Sequence, residues 1–214
     1  MTDKKTIDAV TKILEESKKL NRKFKQNIDL VINLKNLDLN IPKNRVDEEV
    51  LLPHGRGKEA KVALFASGEL ALKSKKHVDL LIKPEEIEDL SKDKKKFKKI
   101  ADDHDFFIAE APLMPTIGKS LGTVLGPRGK MPKPVPPQAD VTGIVKNLRN
   151  TIKVRSKSNK TFHTIAGSAE MPKEHIVDNI DAIIKRLEGS LERGRMNIGS
   201  IYIKTTMGPS HRLI

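Results

Sequence analysis

Apolar residues at three- and four-residue spacing open the chain: Ile7, Val10, Ile13, Leu14 and Leu20 share one face of an amphipathic helix, with lysines and acids on the other. The period then shifts to two. Ile28, Leu30, Ile32 and Leu34 alternate with Asp29, Val31, Asn33 and Lys35, the pattern of a strand covered on one face. A turn at residues 41–44 precedes a second extended run over 46–52, which stops at Pro53-His54-Gly55-Arg56-Gly57-Lys58.

Beyond that glycine-basic junction the texture changes. Short apolar runs at 62–66, 78–82 and 106–109 are separated by helical stretches at 69–76 and 84–103, the alternation of a parallel sheet layered by helices. Residues 113–125 read as another helix, and 141–148 as one more after a proline-rich loop. The C-terminal third returns to extended segments at 152–155 and 161–169. A helix then starts near Pro172, its stripe Ile176, Val177, Ile180, Ile183, Ile184 and Leu187 closed by Gly189. The pattern predicts an α/β protein with antiparallel texture at both ends and a doubly wound middle, as if one domain were inserted into another.

The chain ends in a strand over 200–205 followed by the uncharged string Thr206-Met207-Gly208-Pro209-Ser210. Hydroxyls and backbone amides beside a bendable glycine suit close contact with a polyanion. Charge points to the same partner class. The 214 residues carry 41 Lys+Arg against 28 Asp+Glu, a net charge of +13, which is the electrostatic footprint of a nucleic-acid binder. No apolar run is long enough to span a bilayer, and Met1-Thr2-Asp3-Lys4-Lys5 leads into the first helix without a signal core, so a cytoplasmic protein with no membrane partner is expected. Cys is absent, which excludes disulfides, thiolate zinc sites and cysteine nucleophiles.

Gly118-Lys119-Ser120 after a strand evokes a phosphate-binding loop, but that loop needs a glycine five residues before Gly118, where Leu113 stands. A plain helix start accounts for it. Gly126-Pro127-Arg128-Gly129 is a Gly-x-x-Gly loop with a basic insertion, of the kind that clamps a single-stranded backbone, yet Pro132, Pro134, Pro136 and Pro137 follow where that architecture needs a helix. A rigid surface loop and a contact loop fit equally well. The histidines show no metal-binding spacing, and no nucleophile elbow occurs, so no metal, cofactor or catalytic residue is expected. Six Phe and one Tyr are too few for a base-stacking sheet. The lysines from Lys92 to Lys99 read as a solvated helix face, which leaves structured RNA, read through backbone and shape, as the favoured partner.

Lys23-Phe24, Pro53-His54-Gly55-Arg56-Gly57-Lys58, residues 122–132 and Thr205-Thr206-Met207-Gly208-Pro209-Ser210 occur in this order in the ribosomal protein L-one family, the universal stalk proteins of the large ribosomal subunit, and the chain resembles its archaeal type nearly end to end. The resemblance implies an RNA-binding domain from residues 1–65 and 156–214, and an inserted three-layer, Rossmann-like domain from 66–155. It implies a cytoplasmic ribosomal protein, monomeric when free and not an enzyme. Its partners would be the rRNA stalk of the large subunit, exit-site tRNA whose release it assists, and its own operon mRNA, whose translation it represses. RNA contacts would fall on Lys23, Phe24, Ser200, Thr205, Thr206, Met207 and Gly208. Apart from the resemblance, a hinge is expected at the glycine-basic junction Gly55, Arg56, Gly57 and Lys58 with the return crossing near Arg155, because only two covalent strands connect the domains. The competing reading is an RNA-associated enzyme that binds a nucleotide in the inserted domain; the missing loop glycine argues against it.

Overall fold

The computed structural model describes residues 4–20 and 22–214, so the opening Met1–Asp3, used above in the expectation of no signal core, lies outside the described residues. In chain order the elements are α1 (Lys4–Leu20), β1 (Asn27–Leu34), β2 (Asp47–Leu51), β3 (Val62–Phe65), α2 (Gly68–Ser74), β4 (Leu80–Ile82), α3 (Pro84–Lys92), α4 (Lys94–Asp103), β5 (Phe106–Glu110) and α5 (Met114–Arg128). They continue with β6 (Lys133–Val135), α6 (Val141–Arg149), β7 (Thr151–Arg155), β8 (Thr161–Ser168), α7 (Lys173–Ser190), β9 (Ile198–Thr205) and β10 (Ser210–Arg212). The chain folds as two compact units, one built from both ends, Met1–Glu59 and Asn150–Ile214, the other from the middle, Ala60–Arg149. Both crossings come six residues earlier than the sequence boundaries after 65 and 155. The reason is pairing: β3 is a central strand of the middle unit's sheet, while β7 pairs with β2 in the unit of the ends.

In the unit of the ends, an antiparallel sheet runs in the order β10-β9-β1-β8. The alternation of β1 buries Ile28, Leu30, Ile32 and Leu34 on one face, matched across the register by Ile201, Ile203 and Phe162. α7 covers that face with Ile176, Val177, Ile180, Ile183 and Leu187, and α1 adds Ala9, Val10 and Ile13. Val50, Ile152 and Val154 from the two-stranded β2–β7 ribbon join the same core. Each fully buried Ile contributes about 1.5–3 kcal/mol. The stripe of α1 is narrower than its spacing suggests, since Ile7 and Leu20 stay exposed. Gly189 does not stop α7, which runs on until the Leu191 N–H bonds the Leu187 carbonyl.

The middle unit is a parallel sheet in the order β4-β3-β5-β6. β3 and β5 are buried along their whole length, as near-continuous apolar runs should be when both faces are covered. α3, α4 and α5 close one face over Phe65, Phe97 and Phe107, and α2 and α6 close the other over Val62, Leu64 and Ile108. This is a three-layer α/β arrangement with the strand order of a doubly wound sheet.

Three local expectations in this unit change. The helix read over 84–103 is two helices, broken at Asp93, whose carboxylate caps α4 by accepting the Lys96 N–H at 3.1 Å. The helix read over 113–125 runs to Arg128 and ends at Gly129, whose φ of +67° only glycine adopts freely. Gly118-Lys119-Ser120 is therefore mid-helix, not a helix start. The proline-rich segment supplies β6 as an edge strand, where Pro134 lacks an N–H that the sheet does not need. Among the described residues, no helix is long and apolar enough to cross a membrane.

Candidate nucleic-acid interface

The sheet of the end-built unit has only one face covered. On the other face the outward residues of β1, β8 and β9 stand open in registered rows. At one end Asn33 lies between Thr161 and Ser200; the Thr161 hydroxyl donates to Asn33 Oδ1 and Asn33 Nδ2 donates to Ser200 Oγ, both at 2.7 Å. Because Ser200 Oγ accepts within this chain of bonds, its own hydrogen is left to donate outward. The next row is His163, Val31, Tyr202 and Arg212, and the last places Asp29 beside Lys204. Burial pushes the Asp29 carboxyl above its ordinary value, against the opposing pull of His163 and Lys204. The face carries Lys204 and Arg212 toward its margin, with Val31 and Ile165 among its polar groups, and its Thr161–Asn33–Ser200 row is held in place from strand to strand.

The string after β9 is a hairpin turn, because the tail that follows it returns as β10, an element the sequence reading did not foresee. His211 Nε2 meets Glu16 of α1 at 2.7 Å and anchors that strand. The turn does not offer its amides, contrary to the sequence expectation. The Thr206 N–H bonds the Asn27 carbonyl, the Met207 N–H bonds Gln26 Oε1 at 3.1 Å, and the Gly208 N–H bonds the Thr205 carbonyl. The Thr206 hydroxyl accepts from the Asn27 N–H at 3.1 Å and reaches the Asn27 carbonyl at 3.4 Å, leaving a lone pair as its outward group. Met207 projects its thioether, with 55% of its surface exposed.

Thr205 is not a surface contact. It is buried, and its Oγ1 has no hydrogen-bond partner. A Cβ at Gly208 would lie far inside van der Waals contact with that oxygen. Gly208 is required for close approach and not for a left-handed φ, since it is absent from the positive-φ glycines.

Lys23 and Phe24 lie on the segment entering β1, both exposed, with Phe24 at 50%. Gln26, buried beside them, donates to Ser17 of α1 and accepts from Met207, so one side chain ties this segment to the turn. Lys23, Phe24, Thr206 and Met207 are thus brought around one end of the sheet, while Ser200 lies farther along the open face. Gln26, Asn27, Asn33 and Thr161 escaped the sequence reading. The alternation of β1 marks Asn33 as outward, but its bonding partners come from strands far away in sequence.

The expected hinge divides. Gly55, Arg56, Gly57 and Lys58 lie just before the first crossing, but His54 to Gly57 are fastened to their own unit. Fully buried Asn179 accepts the His54 N–H and donates to the carbonyls of Gly55 and Ala166. The His54 ring stacks on His175 at 3.9 Å and meets Asp178 at 3.0 Å. Gly57 sits so close to Ser168 that a Cβ would fall 2.5 Å from its Cβ. Arg155 is away from the return crossing at Arg149–Asn150, paired with Asp47 across the β2–β7 ribbon at 3.0 Å.

In the middle unit the Gly-x-x-Gly stretch is the last turn of α5, and its basic residues turn inward. Arg128 pairs with Asp102 at 2.8 Å and holds that carboxyl below its ordinary range. Lys130 Nζ donates to the carbonyls of Ala101 and His104, capping the end of α4. The lysines of α4 stand on its solvent face. Among the described residues, no group of three His, Cys, Asp or Glu is placed to hold a metal ion.

Residues 13–209 match the model of the ribosomal protein L1p/L10e family. A protein of Methanocella arvoryzae named large ribosomal subunit protein uL1 is 54% identical over the whole of both chains. Proteins of the same name from Thermoplasma volcanium and Haloquadratum walsbyi are 50% identical over 94% of each chain and 49% identical over 95% of each chain.

Proposed function

We propose, since the chain belongs to the ribosomal protein L1p/L10e family, that its end-built unit grips the rRNA stalk of the large subunit through the open sheet face and the 206–208 turn. The chain is a structural protein of the large ribosomal subunit and not an enzyme. The observation that carries the finer reading is the locked face: Thr161, Asn33 and Ser200 are aligned by their own hydrogen bonds, and the neighbouring turn is tied down at every amide. Preset donors and acceptors read a folded RNA by shape and 2′-hydroxyl position without ordering side chains on binding. Lys23, Lys204 and Arg212 supply phosphate contacts around that face.

An mRNA segment that reproduces the same local RNA shape would occupy the same face, so repression of the chain's own operon follows from one site. Assisting release of deacylated tRNA from the exit site is the further role we assign to the stalk-bound protein. Chemical footprinting of a large-subunit rRNA transcript with and without the protein tests the primary site. Protection confined to one stalk region, requiring higher protein concentration with Thr206→Val, is expected; protection spread along the transcript would refute it. Relief of repression by added stalk rRNA in a translation assay tests the shared site.

A further inference from the structure

We infer that the cleft beside Phe24 receives one unpaired nucleotide of the bound RNA, an inference that rests on the RNA-binding reading above. The cleft has a volume of about 730 Å³ and lies between the second half of α1, the segment entering β1 and the loop from β8 to α7. That volume is in the range of pockets for small ligands, roughly 300–1,000 Å³, and too small for a duplex. Its lining is divided in the way a nucleotide is divided. Leu14 and Met171 supply an apolar surface, and half-exposed Phe24 offers an aromatic face against which a splayed base stacks.

Lys18, Arg22 and Lys173 supply the cations for the phosphate. Glu170, the acid in the lining, is already neutralised by Lys25 at 2.9 Å. Lys18 and Arg22 have no acidic partner among the described residues, so their charge is available to a ligand. Charge complementarity therefore favours a polyanion over an acidic-free apolar partner. The cleft is also continuous with the proposed interface: Gln26 lines it and, through the same amide, holds the Met207 N–H. An RNA strand passing Met207 is led to the cleft mouth.

The test is 2′-hydroxyl acylation footprinting and filter binding of the full chain on a large-subunit rRNA transcript. One variant removes charge, with Lys18→Ala, Arg22→Ala and Lys173→Ala combined. The other fills the cleft without altering charge: Ala169→Leu adds side-chain volume, and the Ala169 N–H can keep its 2.9 Å bond to the Gln26 carbonyl. Wild-type protein should protect an unpaired nucleotide that both variants leave reactive, while the rest of the footprint persists. The triple variant should bind about tenfold more weakly, with a salt slope shallower by about one to two phosphate contacts. Unchanged footprints with affinities within twofold would overturn the inference, as would uniform weakening in which no single unpaired nucleotide is lost. A wild-type chain that protects nothing on the transcript would instead overturn the RNA-binding reading itself.

Discussion

The two units solve the same packing problem differently, and only one solution leaves a sheet face for a partner. In the middle unit, helices cover both faces of the parallel sheet, and β3 and β5 are apolar throughout because neither side meets water. Arg128 and Lys130 are spent internally, on Asp102 and on helix-end carbonyls, while Lys119 and the lysines of α4 face solvent. In the unit of the ends, α1 and α7 cover one face, and the other keeps polar side chains in registered rows. Net charge alone would not separate the two. What separates them is whether a sheet face, with its aligned polar row, is left open.

The strongest attempt to break this comparison is at Gly208. Gly208→Val should weaken rRNA binding by about 2–3 kcal/mol in filter binding, because its side chain must displace Thr205 and distort the turn. Adding Thr205→Ala to Gly208→Ala should recover part of the smaller variant's loss, with a coupling of about 0.5–3 kcal/mol. No recovery would mean that the glycine serves something other than close approach.

Thr206→Val comes next, at about 1–2 kcal/mol of binding, since it removes the hydroxyl bonded to Asn27 as well as the outward lone pair. Binding and melting temperature measured together separate the two contributions. A variant that melts normally yet binds weakly places the loss at the RNA.

Asp29 sharpens the comparison from the side of stability. Because burial raises its carboxyl value, the folded state holds that proton more readily than the unfolded chain, and ionisation above the raised value subtracts stability. Asp29→Asn should therefore melt about 1–2 °C higher at pH 7. The gain should fade as the pH falls through the raised value, measured by thermal melts across pH 4 to pH 7.

Two changes in the middle unit should matter least. Joining Glu59 to Asn150 through a short glycine linker, which deletes the whole unit, should leave a folded protein that binds rRNA within about threefold, or 0.7 kcal/mol, of the intact chain. Lys95→Ala on α4 should shift binding by only a few tenths of a kcal/mol at physiological salt. A lysine effect equal to that of Thr206 would move the RNA site into the middle unit and end the comparison.

The sequence by itself determined the period of the long elements and the two textures that suggest an insertion, because helix and strand faces are local patterns of apolar spacing. Ile28 to Leu34 announce a half-covered strand, and 62–66 and 106–109 announce buried ones. Only the tertiary structure decided what those elements do to one another. The break at Asp93 is local, one carboxylate capping the amide three residues on, but the crossings depend on which distant strand pairs with β7, and β10 exists only because β9 offers it an edge. The same holds for the site: the sequence placed hydroxyls and a glycine at the end of a strand, but the partners that take the Met207 and Thr206 amides and align Ser200 lie 181, 179 and 167 residues away, at Gln26, Asn27 and Asn33. Hydrogen-bond satisfaction is a property of the whole fold, and no local pattern carries it.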